Sequence, residues 1–248
     1  MITARKSLTE NTPCGGSPAQ RGRIPWFWVA LLLLTIIGGN CAPSWAAEQQ
    51  TITSKKIYCA GPLFNDKERE EMAQIAQVLE QKGFMVFLPH RDGVLLAKLL
   101  DAFSAAGVSQ EKSREILLKV IFYVDVFELL DSDGLILNMN GRVPDEGSMV
   151  EAGIAWQAGK AIVIYKNDDR SLVGGNDNPL VVGLSGFQKY RDIDEIPNAF
   201  QALFATKAPP HDVLADAIAT KGRRILEVMK ADKDKVLIAH ELMQLLEE

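Results

Sequence analysis

The segment Pro144-Asp145-Glu146-Gly147-Ser148-Met149-Val150-Glu151-Ala152-Gly153 sets two carboxylates, Asp145 and Glu151, at the opening of an expected helix. Unpaired amides and the dipole at a helix start favour negative charge, so both side chains are expected to stay ionised. An ionised carboxylate held beside a cleft suits covalent attack on the anomeric carbon of a sugar. The same spacing fits a plainer arrangement, with Asp145 capping the helix and Glu151 a solvated surface charge. Asp125 stands in Val120–Leu130, where nine of eleven residues are apolar or aromatic. A carboxyl with little water around it holds a proton and can donate it. A helix-end cap or an ion pair is the alternative role for Asp125. One charged and one protonated carboxyl are the usual division of labour in glycosidic bond chemistry.

Strands alternating with helices must position these groups. Lys55–Ala60 is a β-prone run that stops at Gly61-Pro62. Asn65 or Asp66 can cap a helix running to Lys82, with Met72, Ile75, Ala76 and Leu79 at helical spacing and Gly83 as the stop. Phe84–Leu88 is a second strand, ended by Pro89, and a helical region follows that breaks near Gly107 and resumes from Ser109 to Leu130. Gly134–Asn138 and Ala161–Tyr165 are strands flanking a helix over 146–158. Phe187–Arg191 reads as a fifth strand, with Pro197–Phe204 helical after it and one or two amphipathic helices from about His211. Continuous apolar strands separated by helices indicate a parallel sheet covered on both faces. The expected fold is therefore α/β, a flavodoxin-like or Rossmann-like sheet of about five strands with a C-terminal helical extension. Ligands of such sheets bind beyond the carboxyl ends of the strands, which singles out loops 59–66, 89–93, 138–148 and 166–180.

The charge is uneven along the 248 residues: four basic residues against Glu10 in 1–47, leaving 23 basic and 31 acidic residues in the remainder. An acidic body argues against a binder of nucleic-acid polymers, whose affinity comes largely from neutralising phosphates. Arg21 and Arg23 precede an uncharged apolar stretch, Trp26–Ile37, which ends in small residues up to Ser44-Trp45-Ala46-Ala47. That pattern describes a secretory leader with cleavage after Ala46 and hence an exported, periplasmic protein. An uncleaved anchor is the alternative, although the stretch is short of the roughly 20 residues of a membrane span. The organisation expected is a leader over 1–47, an α/β domain over 48–207 and a helical extension over 208–248. Cys59 is the one cysteine after the leader, which leaves no internal disulfide or thiolate zinc cluster, and His90, His211 and His240 are too scattered for a metal site.

Five segments then occur in a telling order: Ile57-Tyr-Cys-Ala-Gly-Pro-Leu-Phe-Asn65, Phe87-Leu-Pro-His-Arg-Asp-Gly93, Asp125 ahead of Ser132-Asp-Gly134, the Asp145–Gly153 segment, and Gly159-Lys160. Over about 56–205 the chain resembles the nucleoside 2-deoxyribosyltransferases and the related deoxynucleoside 5′-monophosphate N-glycosidases. The resemblance implies that Glu151 attacks C1′ of a 2′-deoxynucleoside, giving a deoxyribosyl-enzyme ester and releasing the base. A second base, or water, then takes the sugar. It implies that Asp125 exchanges a proton with the base, that Asp145 holds sugar hydroxyls, and that the Tyr58 hydroxyl orients the nucleophile. Asn178 resembles the asparagine that a neighbouring subunit contributes, so a homo-oligomer is expected. Gly61, Asp92, Gly147 and Ser148 are further candidates for contact with substrate. No metal or organic cofactor is required, and the partners are deoxynucleosides and nucleobases.

Other residues have duller readings. Arg91-Asp92 fits a plain turn as well as a base contact, Cys59 a packing role, Trp156 a core position, and Asp168-Asp169-Arg170 a solvated loop. Ser148 could serve a 5′-phosphate, but no convincing set of phosphate ligands accompanies it, which favours nucleosides. Outside the cytoplasm free bases are scarce as acceptors, which favours hydrolysis of the glycosidic bond. A non-catalytic nucleoside sensor on the same fold is the remaining alternative.

Overall fold

In the computed structural model the described residues are 54–93, 96–141, 145–169, 176–206, 209–231 and 234–247. The expected leader over 1–47 lies outside them, as does Arg170. The body runs β1 (Lys56–Ala60), α1 (Asp66–Gln81), β2 (Met85–Phe87), α2 (Pro89–Asp92), α3 (Leu96–Ala105), α4 (Gln110–Asp131), β3 (Gly134–Asn138), α5 (Glu146–Gln157) and β4 (Ala161–Tyr165). It continues through α6 (Pro179–Val182) and α7 (Ile196–Ala205) to α8 (His211–Lys230) and α9 (Lys235–Glu247), which pack on each other.

The sheet has the order β2-β1-β3-β4, all parallel, with Tyr58 paired to Phe87 on one side and to Leu135 on the other. Alternation along β1 sends its side chains to two cores. Ile57 and Cys59 pack with Met72, Ile75, Ala76 and Leu79 of α1 and with Phe200 of α7. Tyr58 and Ala60 pack on the opposite side with Leu129 of α4 and Ala152 and Ala155 of α5. Cys59 is thus a packing residue, fully buried, and burial pushes its thiol far above the ordinary range.

The sheet has four strands, not five. Of the expected strand Phe187–Arg191, only Tyr190 pairs, bridging Tyr165 through its amide on the Ile164 carbonyl and its carbonyl on the Lys166 amide, both at 2.9 Å. The chain cannot run alongside β4 for longer. Gly186 and Phe187 both take left-handed backbone (φ 64° and 66°), and Asp192 already caps the next helical turn by accepting from the Asp194 amide. Among the described residues no helix is long and apolar enough to cross a membrane.

The two helices over the Tyr58 face are held differently. α5 buries Ser148, Ala152 and Ala155, whereas the 22 residues of α4 bury only Ser113 and Leu129. Phe122, Tyr123 and Phe127 of α4 are more than half exposed.

Candidate active site

Tyr58 anchors the site from the sheet. Its ring is fully buried and stacks on Phe87 with centroids 5.5 Å apart, and its hydroxyl donates to Glu151 Oε1 at 2.7 Å. Burial, followed by the charges of Glu151 and Asp125, drives the phenol far above its ordinary range, so it remains a donor.

Glu151 stands in the second turn of α5 and Asp125 about two turns before the end of α4. Both line one cavity of about 260 Å³ between the two helices, walled by Phe122, Val126 and Leu129 on one side and Gly147, Val150 and Ile154 on the other. The two acids therefore share a space, as the resemblance implies. The carboxyl of Glu151 departs from expectation, since its place near the helix start does not keep it in the usual carboxylate range. Burial pushes it up to about 7, against the Tyr58 hydrogen bond that lowers it, with Asp125 and Asp145 adding repulsion. The stabilising effect of a helix start fades within the first turn, and Glu151 lies beyond it, facing an apolar cavity. Asp125 is also raised, first by burial and then by Glu128. Among the described residues it neither caps a helix end nor forms an ion pair; it faces the cavity from within α4.

Asp145 caps α5. Its Oδ2 accepts from the Ser148 amide at 2.8 Å and from Ser148 Oγ at 2.5 Å. Ser148 is buried by that arrangement, and Asp145 is near enough for its charge to be felt at Glu151. Gly147 borders the cavity, and a Cβ there would lie 3.4 Å from Asp145 Oδ2.

Of the candidates, Glu151, Asp125 and Gly147 line the cavity; Tyr58, Asp145 and Ser148 bear on it through Glu151 or the start of α5, while Gly61, Asp92 and Asn178 are held by other contacts. Gly61 is buried where a Cβ would overlap Met72 Sδ and come within 2.9 Å of Asn138 Cβ, so its lack of a side chain serves close packing. Asp92 accepts from the Leu88 amide at 2.9 Å and from two Arg91 nitrogens at 2.8 Å, while Arg91 also reaches Glu80. Burial alone would raise Asp92, but these bonds outweigh it and hold the carboxyl below its usual range. Asn178 is exposed and caps α6, accepting from the Leu180 amide at 3.0 Å. Trp156 packs beside the Tyr58 core and meets His211 edge-on at 4.6 Å.

A polar cluster at the carboxyl ends of β3 and β4 escapes sequence reading. Asn138 and Asn140 donate to the two oxygens of Glu71, each at 2.9 Å, and Asn140 also donates to Asn167 Oδ1. Asp168 is no solvated loop charge: it pairs with the buried Lys166 at 2.6 Å and accepts from the Gly141 amide. Asp169 is exposed and pairs with Arg191. The signal was the Asn138-Met-Asn140 ending of an apolar strand, since residues two apart share a face. Among the described residues no group of three or more His, Cys, Asp or Glu side chains is placed to hold a metal ion.

No curated protein matches the chain. Among solved structures it is similar to a conserved protein from Enterococcus faecalis V583, at 20% identity and a TM-score of 0.45, over 60% of this chain and 98% of that one. It is also similar to the 2-deoxyribosyltransferase of Bacillus psychrosaccharolyticus, at 22% identity and a TM-score of 0.41, over 58% of this chain and 90% of that one. The CMP N-glycosidase of Clostridium botulinum is similar at 17% identity and a TM-score of 0.35, over 58% of this chain and 96% of that one. The family described as nucleoside 2-deoxyribosyltransferase matches residues 57–227, from β1 into α8 and well over half of the chain. This chain therefore belongs to the nucleoside 2-deoxyribosyltransferase family, whose enzymes act on nucleosides.

Proposed function

We propose that the protein transfers 2-deoxyribose between nucleobases through a covalent deoxyribosyl ester on Glu151. The observation that carries this reading is the convergence of Tyr58, Glu151 and Asp125: a carboxyl fixed by a 2.7 Å hydrogen bond, with a second carboxyl across one small cavity. An oxygen of ionised Glu151 attacks C1′. The C1′–N bond breaks, its electron pair goes to the base nitrogen, and Asp125 gives the base a proton. In the second half a new base attacks C1′, the ester C–O bond breaks and Glu151 leaves as carboxylate, while Asp125 takes the proton back. With Glu151 near 7, a substantial fraction is ionised at neutral pH and the two acids together can hold the single proton that this cycle needs.

The supporting residues fit roles in the same cycle. Tyr58 holds Oε1 of Glu151 and leaves the other oxygen for C1′. Asp145, fixed by Ser148, holds sugar hydroxyls, and Gly147 lets the sugar approach the wall. The cavity is smaller than the roughly 300–1,000 Å³ of ordinary ligand pockets, and its rim residues Phe122 and Val150 are 60% and 62% exposed. A neighbouring subunit closing that rim, with its Asn178 reaching the sugar, completes the site, so the working form is a homo-oligomer. The leader over 1–47 places the protein outside the cytoplasm, and the mass of the exported form shows whether cleavage follows Ala46 or the leader stays as an anchor.

The deciding experiment incubates the protein with deoxyinosine, with and without adenine. Formation of deoxyadenosine supports transfer. Hypoxanthine released without adenine shows hydrolysis instead, and binding without turnover shows a sensor. Glu151→Ala is expected to abolish turnover while the protein stays folded; a retained rate removes Glu151 as nucleophile.

A further inference from the structure

The acid proposed as proton donor sits on the less firmly held wall of the cavity, so what fixes its turn of helix bears on the chemistry. The last two turns of α4 are tied down by Leu129 in the core and by three contacts. Lys56 Nζ, from β1, donates to Glu128 Oε2 at 2.5 Å and to Asp131 Oδ2 at 2.8 Å. Lys160 Nζ donates to the Leu130 carbonyl at 2.6 Å. Lys56 and Tyr58 are two residues apart on one strand and so lie on the same face, the face that α4 and α5 cover. Glu128 is three residues from Asp125, a spacing that makes them neighbours on the helix surface. The Lys56 and Glu128 side chains are 21% and 22% exposed, against 55% for Asp131, so the inner pair is much the better shielded from water.

We propose that Lys56 is a positioning residue for proton transfer: it locks the Asp125 turn of α4 onto β1 and, by neutralising Glu128, sets how much negative charge faces the Asp125 carboxyl. This rests on the reading of Asp125 as proton donor. The titratable groups facing Asp125 are Glu128 from its own helix, Glu151 from α5 and Tyr58 from β1, and Lys56 acts on it through Glu128. Glu128 favours the protonated form of Asp125, and the Lys56 charge partly cancels that influence. Opposite substitutions must therefore move Asp125 in opposite directions.

The test follows the ¹³C carboxyl titration of Asp125 in the full chain, which needs no turnover, beside the pH dependence of kcat/KM for base release from deoxyinosine. Glu128→Gln keeps an oxygen for Lys56 but removes the charge; the Asp125 midpoint is expected to fall by about 0.5–1 pH unit. Lys56→Gln is expected to raise it by a similar amount and to lower kcat, Lys56→Arg to restore both, and the double variant to match the midpoint of Glu128→Gln, since Lys56 acts through that charge. The alkaline limb of kcat/KM is expected to follow each midpoint. An Asp125 midpoint unmoved by Glu128→Gln overturns the inference while leaving Asp125 as donor untouched. If the midpoint moves but the limb does not, and Asp125→Asn keeps the parental rate, the donor reading itself fails and the inference falls with it. Should Lys56→Gln fail to fold, the double variant, which leaves no unpaired charge at that contact, is read against Glu128→Gln, and a midpoint that differs between the two overturns the inference.

Discussion

Tyr58→Phe isolates the hydrogen bond to the proposed nucleophile, Glu151. The substitution keeps the buried ring and its stacking on Phe87, and removes only the hydroxyl 2.7 Å from Glu151 Oε1. That hydroxyl favours the ionised carboxylate, and it opposes the burial that lifts Glu151 to about 7. A hydrogen bond to a charged group contributes about 1.5–3 kcal/mol, equivalent to about one to two pH units at 1.36 kcal/mol each. The Glu151 midpoint should then rise to about 8–9, and kcat/KM at pH 6 should fall about 10- to 100-fold relative to the parent. The ratio of variant to parent should climb with pH, because alkali restores the carboxylate that the lost hydroxyl no longer favours. The assay is base release from deoxyinosine between pH 5 and 9.5, with the Glu151 carboxyl titration read in parallel. A uniform loss at every pH, or an acid limb that stays in place, would show that Tyr58 does not set the ionisation of Glu151.

Three further substitutions bear on other links. Glu151 is raised from its ordinary 4.5 to about 7, so the stability gained by burying it uncharged is complete below about 4.5 and lost as pH rises through 7. Glu151→Gln should thus be more stable than the parent by about 2–3 kcal/mol at pH 8 and nearly equal at pH 4.5, read as denaturant midpoints at the two pH values; equal stability at pH 8 contradicts the desolvated carboxyl. Asp125→Asn should slow base release about 10²–10⁴-fold from deoxyinosine, but far less from 7-methyl-2′-deoxyguanosine, whose base departs without taking a proton; equal losses on both substrates argue against proton donation. Gly61→Ala should destabilise the fold by about 1–3 kcal/mol through its overlap with Met72 and Asn138, measured as a fall in Tm; an unchanged Tm would show that the packing there can give way.

Local signals carried the frame of the fold. The spacing of Met72, Ile75, Ala76 and Leu79 identified the buried stripe of α1, and Asn65 caps it through the Glu68 amide. Gly134–Asn138 and Ala161–Tyr165 begin and end as strands where apolar runs meet polar or turn residues. Phe187–Arg191 has the composition of a strand, but the turn before it ends in a left-handed cap, with the Gly186 amide on the Gly183 carbonyl and the Phe187 amide on the Val182 carbonyl, which delays pairing until Tyr190. In the site, residue types and order foretold that Asp125 and Glu151 share a space, yet not that burial lifts Glu151 to about 7. A position near a helix start is readable from a sequence, whereas the direction of a side chain into an apolar cleft is not. Asp168 shows the same limit, since its shielding depends on Lys166 and on the turn at Gly141. The contacts of Lys56 span 72 and 75 residues, beyond any periodicity.

The unequal anchoring of α4 and α5 gives the cleft a stiff jaw and a compliant one. In the proposed cycle the stiff jaw bears the oxygen that bonds the sugar in the first displacement and releases it in the second. In the same proposed cycle the compliant jaw bears the acid that serves the bases, one of which departs before another enters. Small excursions of the α4 turns ahead of Asp125 would let nucleobases change places, while Leu129 and the Lys56 and Lys160 contacts hold the Asp125 turn.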